Sequence, residues 1–147
     1  MSVRTILVGV DDSEGSREAL RWAADLAADL KASLVVIYVF EPLAHLGEEP
    51  ATGDLRVLRD RAKRVLEDDI TRPLRERGLP FTARLVEGMP AQALVDAADE
   101  ADADLLVVGA RRQGRLKDLL LGSTSRELAQ LTPRPVAIVH LQRKGQA

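Results

Sequence analysis

Residues 107–125, VVGARRQGRLKDLLLGSTS, bring together residue types that bind anions. Glycines let a backbone follow a tight path, basic side chains attract negative charge, and hydroxyls at a helix start join its unpaired N–H groups in holding a phosphate. The glycines are Gly109, Gly114 and Gly122, the basic residues are Arg111, Arg112, Arg115 and Lys117, and the hydroxyl residues are Ser123, Thr124 and Ser125. The stretch indicates a phosphate-binding loop. The alternative is a surface loop in which the glycines make turns, Thr124 caps a helix and the arginines are solvated.

Two common phosphate-binding motifs do not fit this chain. Gly109 and Gly114 have the glycine spacing of a P-loop, but Arg115 and Leu116 stand where its lysine and its magnesium-binding hydroxyl are needed. The dinucleotide pattern G-x-G-x-x-G does not follow the first apolar run. The sequence therefore argues against a P-loop enzyme and against the usual NAD or FAD site.

A second candidate site is the pair Asp11 and Asp12, which follows the first apolar run. Paired carboxylates in this position can hold Mg²⁺, as in the receiver domains of response regulators. A receiver domain also needs an aspartate after its third strand and a lysine after its fifth, whereas Glu87 and residues 140–142 (HLQ) stand there. A metal at Asp11 or Asp12 is one interpretation. The other is that one carboxylate caps the turn and its neighbour is solvated.

The two histidines are poorly placed for nucleophilic catalysis. His45 falls in an irregular segment and His140 near the end of the last apolar run, so neither lies beside a serine that it could activate. We assign no catalytic residue and expect any turnover to be slow.

Composition excludes several classes of protein. With 46% hydrophobic and 30% charged residues, the 147-residue chain is expected to form one globular domain over residues 1–147. A net charge of -2 and only four aromatic residues make nucleic acid an unlikely partner. The absence of cysteine excludes disulfides and thiolate chemistry. No apolar run approaches the roughly 18 residues of a spanning helix and no signal-peptide pattern is present, so we expect no membrane partner and a cytoplasmic location.

Five short apolar runs alternate with helical patterns and predict an α/β fold, a doubly wound parallel sheet with helices on both faces. In such a sheet, ligands bind at the carboxyl ends of the strands where the winding reverses, so the loops after the first and fourth strands are the ones expected to meet there. The runs are residues 5–10, 34–40, 81–86, 105–109 and 135–141.

Four helical patterns supply the connections. The first is capped by Ser13, the second runs from about Asp54 toward Pro73, which should kink or end it, and the third begins at Pro90. The fourth begins near Ser123, where Thr124 and Glu127 have the spacing of a capping box. Apolar positions three and four residues apart are expected to face the core. They are Leu20, Ala23, Ala24, Ala27 and Leu30, then Leu55, Leu58, Ala62, Val65 and Leu66, then Leu94, Ala97, Ala98 and Ala101.

Two segments stand outside this pattern. Residues 41–53, EPLAHLGEEPATG, form an irregular insertion that we interpret as a solvated loop, with a lid over a ligand as the alternative. The tail, residues 142–147, is expected to be flexible.

The segments VGVDDSEGSREALRWAADLA, DADLLVVGARRQG and LLLGSTSRELAQLTPRPVAIV resemble the universal stress protein family over nearly the whole chain. The resemblance implies a five-stranded parallel sheet of order 3-2-1-4-5 with an adenine nucleotide alpha hydrolase-like fold. It also implies a homodimer and, as in many members, binding of ATP, with Mg accompanying the nucleotide as a further expectation.

ATP-binding members of that family carry the pattern G-x2-G-x9-G-[ST]. Aligned here, its outer positions are Gly109, Gly122 and Ser123, while Arg112 replaces the middle glycine and Gly114 follows two residues later. The arginine could block the phosphate site or replace a backbone contact with a charged one. By the resemblance, Asp11 faces the sugar or base, Val10 and Val39 line the adenine pocket, and Ser123 and Thr124 meet the phosphates. The predicted nucleotide-binding set is Val10, Asp11, Ser13, Val39, Gly109, Arg111, Arg112, Gly114, Gly122, Ser123 and Thr124.

The last apolar run bears on assembly. If it forms an edge strand, its apolar edge would need a cover, and antiparallel pairing with a second copy would supply one. The predicted interface is Val136, Ala137, Ile138 and Val139, with a lone protected edge as the alternative. The sequence thus favours a dimeric sensor or regulator that binds ATP. The competing hypothesis is a member that binds no nucleotide and serves as a dimerising interaction module.

Overall fold

The computed structural model describes residues 2–42, 54–110 and 123–141, with only the backbone of Ser123. The predictions at Arg111, Arg112, Gly114 and Gly122 lie outside these residues, as do those for most of the 41–53 insertion and for the tail.

Five parallel strands form one sheet in the order β3-β2-β1-β4-β5, which confirms the predicted fold and strand order. Each strand falls within two residues of the predicted run. The strands are β1 (Thr5–Val10), β2 (Ser33–Phe40), β3 (Phe81–Glu87), β4 (Leu105–Gly109) and β5 (Val136–Val139). Most residues of β1 and β4 and half of those of β2 are buried, whereas β3 and β5, at the two edges, are half-buried or exposed. The winding reverses between β1 and β4, the point at which a ligand crevice was expected.

Helices cover both faces of the sheet. They are α1 (Glu14–Leu30), α2 (Leu55–Arg64), a π-helical segment (Val65–Ile70), α3 (Arg72–Glu76), α4 (Pro90–Ala101) and α5 (Ser123–Leu131). One core cluster joins α1 and the α2–α3 region to the sheet, and a second joins α4 and α5 to the opposite face. Among the described residues, no helix is long and apolar enough to cross a membrane.

Helix α1 follows the predicted pattern except at its last residue. Ser13 caps it, accepting a hydrogen bond from the Ser16 N–H at 3.2 Å, and the predicted stripe is buried as far as Ala27. The prediction for Leu30 is wrong, because 47% of this residue is exposed. The helix ends there and Lys31 turns the chain away with a φ of 56°, so Leu30 lies beyond the part of the helix that covers the sheet.

The second predicted helix is divided in three. Its helical hydrogen bonds change to the π pattern at Val65–Ile70, and Pro73 lies in the first turn of a new helix, where its missing N–H costs no hydrogen bond. Leu55, predicted to face the core, is 39% exposed because it is the first helical residue after the Asp54 cap.

The third and fourth helical patterns were predicted more closely. Pro90 begins α4, as predicted, and Leu94, Ala97 and Ala98 are buried. Helix α5 begins at Ser123, so Thr124 is its second residue and not the cap that the capping-box spacing predicted.

The carboxylate of Asp104 joins the beginnings of β1 and β4. Its Oδ2 accepts hydrogen bonds from the backbone N–H groups of Arg4 (2.8 Å) and Thr5 (3.0 Å). These two bonds lower the pKa of Asp104 below its ordinary value of 3.8. The charged form is therefore the one that stabilises this end of the sheet.

We expect Asp104→Asn, which keeps an acceptor but removes the charge, to lower the free energy of unfolding at neutral pH. Because the folded pKa is depressed, the native advantage is full above the ordinary carboxyl pKa and is lost as the pH falls through the folded value. Urea unfolding of both proteins between pH 7 and pH 2 should show the difference shrinking below about pH 4. A difference that is the same at every pH would contradict this role of the charge.

Lys31 provides a second test of the fold. It ends α1 in the left-handed conformation, which glycine adopts without the steric cost that a Cβ imposes. Lys31→Gly should raise the free energy of unfolding by about 1 kcal/mol, whereas Lys31→Ala, which keeps the Cβ, should not. Chemical denaturation of the three proteins measures this, and equal stabilities for the glycine and alanine variants would contradict it.

Candidate functional site

A cavity of about 210 Å³ opens at the carboxyl ends of β1, β2 and β4, where the winding of the sheet reverses. It is bordered by the loops after these strands and by the first turns of α4 and α5. Its described lining consists of Gly9, Val10, Asp11, Ser13, Ser16, Tyr38, Val39, Phe40, Glu41, Pro90, Leu94, Val108, Gly109, Ala110, Thr124 and Ser125.

The loop after β1 is held in place by its own hydrogen bonds. The Ser16 hydroxyl donates to the Asp11 carbonyl oxygen and accepts from the Asp11 N–H, both at 2.8 Å. The Ser13 N–H donates to Asp11 Oδ1 at 2.8 Å. These bonds tie Asp11 to the first turn of α1, so the carboxylate is positioned at the cavity by a helix and not by a loose loop.

Asp12 faces a different environment from Asp11. Its Oδ1 lies 2.6 Å from Nη2 of Arg17, which also contacts Asp69 at 2.9 Å in the π-helical segment. Partial burial lowers the pKa of Arg17, but the hydrogen bonds and charges of the two aspartates more than offset this and raise it above its ordinary value. Asp12 is therefore an ion-pair partner outside the described cavity lining, and it does not fit a metal site shared with Asp11. Among the described residues, no group of three or more His, Asp or Glu side chains could hold a metal ion.

Gly109 ends β4 directly against the start of α1. A Cβ built on it would lie 2.5 Å from the carbonyl oxygen of Gly15 and 3.0 Å from the Ser16 nitrogen. Its φ lies outside the left-handed region, so the requirement for glycine here is steric. The sequence predicts a tight backbone path at this glycine, whereas the structure shows that the close approach of α1 requires it.

The structure brings six of the predicted residues around this cavity. They are Val10, Asp11, Ser13, Val39, Gly109 and Thr124. Ser123 begins α5 beside the cavity, and the other four, Arg111, Arg112, Gly114 and Gly122, lie outside the described residues.

Sequence reasoning missed several lining residues from other elements. Pro90 and Leu94 come from α4, and Leu94 enters because Gly9 has no side chain: a Cβ there would lie 2.9 Å from both Leu94 methyl carbons. Pro90 could have been predicted to line the cavity because it begins a helix directly after a strand. This position places it at the edge of the sheet formed by the carboxyl ends of the strands. Glu41, the first residue of the predicted insertion, also lines the cavity.

The lining divides into regions of different chemistry. Val39, Leu94 and Val108 provide an apolar surface suited to a flat ring, and the carboxylate of Asp11 can accept hydrogen bonds from hydroxyl or amino groups. Thr124 and Ser125 provide hydroxyls in the first turn of α5, where the helix dipole favours an anion. A ligand with a ring, hydroxyls and a phosphate matches all three regions.

A model of the universal stress protein family matches residues 2–140. This chain belongs to the universal stress protein family. It is 34% identical over 138 residues to a universal stress protein from Thermus aquaticus, and the match covers 92% of this chain and 98% of that relative.

Two solved structures of universal stress proteins contain nucleotides. One, in complex with cAMP, is 34% identical to this chain with a TM-score of 0.61, and the match covers 95% of this chain and 98% of the other. The second, from Archaeoglobus fulgidus and in complex with dAMP, is 26% identical with a TM-score of 0.68 and coverage of 95% and 99%. Both nucleotides carry an adenine, a sugar and a phosphate.

The contact between Gly109 and Gly15 predicts unequal effects of two alanine substitutions. Gly109→Ala should lower the free energy of unfolding by about 1–3 kcal/mol, because the new Cβ meets backbone that can move only with α1. Gly9→Ala is the matched control and should cost less, because its Cβ meets the ends of the flexible Leu94 side chain. Chemical denaturation compares the two, and a smaller loss for Gly109→Ala would contradict this account.

Proposed function

We propose that this chain is a nucleotide-binding universal stress protein that holds ATP or a related adenine nucleotide in the cavity and acts as a cytoplasmic, homodimeric sensor or regulator. One observation carries the proposal. Residues predicted from the sequence to bind a nucleotide come from the carboxyl ends of β1, β2 and β4, the loop after β1 and the start of α5, and they line one cavity at the switch point.

The chemistry of the lining supports an adenine nucleotide over other anions. In this proposal the adenine packs against Val39 and its apolar neighbours, Asp11 accepts hydrogen bonds from the sugar or base, and the phosphates lie toward Thr124. The cAMP and dAMP complexes of related proteins support the choice of adenine. ATP in particular rests on the spacing of Gly109, Gly122 and Ser123.

We propose that Mg²⁺ binds only together with the nucleotide. Asp11 and Glu41 are the carboxylates in the described lining, and Asp12 is engaged by Arg17. Any Mg²⁺ would therefore be held chiefly by the phosphates themselves, as is common for this ion.

The proposed homodimer forms through β5. Within the described residues this strand pairs only with β4, and Val136, Ala137, Ile138 and Val139 are each half-buried. An exposed apolar edge strand is normally covered, and pairing with a second copy covers it.

Asp11 and Asp12 offer a matched pair of variants for testing the nucleotide site. Asp11→Ala should weaken binding of cAMP, AMP and ATP about tenfold, since it removes a charged hydrogen-bond acceptor from the cavity. Asp12→Ala removes the same charge from the neighbouring position, outside the described lining, and should change affinity by no more than about twofold. Isothermal titration calorimetry gives the affinities, and thermal unfolding without nucleotide shows whether each variant is folded.

Three outcomes decide between the hypotheses. Equal losses for the two variants would contradict the assignment of Asp11. No calorimetric binding, and no rise in melting temperature with any of the three nucleotides, would reject nucleotide binding and favour the interaction module, with Arg112 closing the site. Binding of ATP with steady hydrolysis that Asp11→Ala abolishes would make the chain an enzyme.

A further inference from the structure

Strand β5 is a short strand at one edge of the described sheet. Within the described residues it has no strand partner beyond β4, and no charged residue interrupts Val136–Val139. Soluble proteins normally protect such an edge with charges, bulges or a covering element. The elements that lie beside β5 on the faces of the sheet can therefore indicate how this edge is covered.

Helix α1 presents one flank toward β5. Gly15 lies against Gly109, and Gly109 pairs with Val139 of β5. Trp22 follows Gly15 by seven residues, or roughly two helical turns, so both residues lie on the same flank. The opposite flank faces α3 and the π-helical segment, since Arg17 pairs with Asp69 there.

Two apolar side chains on the flank toward β5, Trp22 and Leu26, are incompletely covered. Trp22, the chain's one tryptophan, is 40% exposed, although its side chain is large and mostly apolar. Leu26, one turn later, is half-buried. Leu26 packs against the same core cluster as Ala137 and Val139, the β5 side chains on this face. The exposed indole thus extends the apolar surface that begins at β5.

We propose that Trp22 is an interface residue and that its partner is a second copy of this chain. The inference rests on the proposed homodimer through β5. In an antiparallel pair, the two β5 strands are related by a two-fold axis normal to the sheet. Both copies of α1 therefore lie on the same face of the joined sheet. The Trp22 and Leu26 side chains of the two helices then lie on either side of the paired strands, and each Trp22 covers Ala137 and Val139 of the joined edge. A two-fold interface requires such self-complementarity, and an edge strand beside an apolar flank provides it.

Because the chain has one tryptophan, its fluorescence reports on this position alone. Emission maximum and acrylamide quenching are measured as the protein is diluted, with sedimentation velocity on the same samples. We expect the dimer to show a blue-shifted emission and at least a twofold lower quenching constant than the monomer, with the change following the dimer fraction. A dimer whose tryptophan is quenched as strongly as that of the monomer would overturn the inference while leaving the homodimer intact.

Substitution gives an independent measurement. Trp22→Glu should raise the dimer dissociation constant at least tenfold, whereas Val57→Glu, the control, should change it by less than twofold. Val57 is 51% exposed on α2, which contacts β2 and not the β5 edge, so both variants place a charge at an exposed apolar position. Equal effects of the two substitutions would overturn the role of Trp22.

A third variant separates this inference from the proposal on which it rests. Ala137→Glu tests pairing through β5 directly. If the wild-type chain is monomeric, or dimerises without sensitivity to Ala137→Glu, the β5 homodimer fails and the role of Trp22 fails with it. Nucleotide affinity, measured separately, shows whether the cavity functions in either case.

Discussion

The close approach of α1 to the end of β4 is the constraint on which the site depends. Gly109 and Gly15 meet backbone to backbone, with no room for a Cβ on Gly109. This contact sets the loop after β1 beside the end of β4, at the point where the sheet reverses its winding. Asp11 and the start of the predicted glycine motif are neighbours for this reason, although almost a hundred residues separate them in the chain.

The same helix separates the functions of two adjacent carboxylates. Ser13 and Ser16, in the cap and first turn of α1, fix Asp11 at the cavity, while Arg17, one residue further, draws Asp12 toward the π-helical segment. The two aspartates are alike in the sequence. Their roles differ because successive residues at a helix start point in different directions.

Membership of the universal stress protein family and the chemistry of the cavity both support the proposal that the ligand is an adenine nucleotide. The family rests on similarity along residues 2–140. The ligand class rests on an apolar surface, a carboxylate and two hydroxyls at a helix start, all within one cavity. The β5 edge and the Trp22 and Leu26 side chains of α1 are apolar and adjacent, which supports the proposed assembly.

The sequence by itself determined the strands, the Ser13 cap of α1 and the start of α4 at Pro90, because apolar periodicity and capping residues act over a few neighbouring positions. The family was inferred from the resemblance of three segments of the chain. It also identified six residues of the cavity, some from the loops expected at the switch point and others, such as Val10 and Val39, from the family resemblance. Only the tertiary structure decided that Leu94 and Pro90 join them, that Asp12 pairs with Arg17 and Asp69, and that Gly109 is required for packing. These features depend on contacts between elements far apart in the chain, and local patterns carry no information about which side chain meets which across such distances.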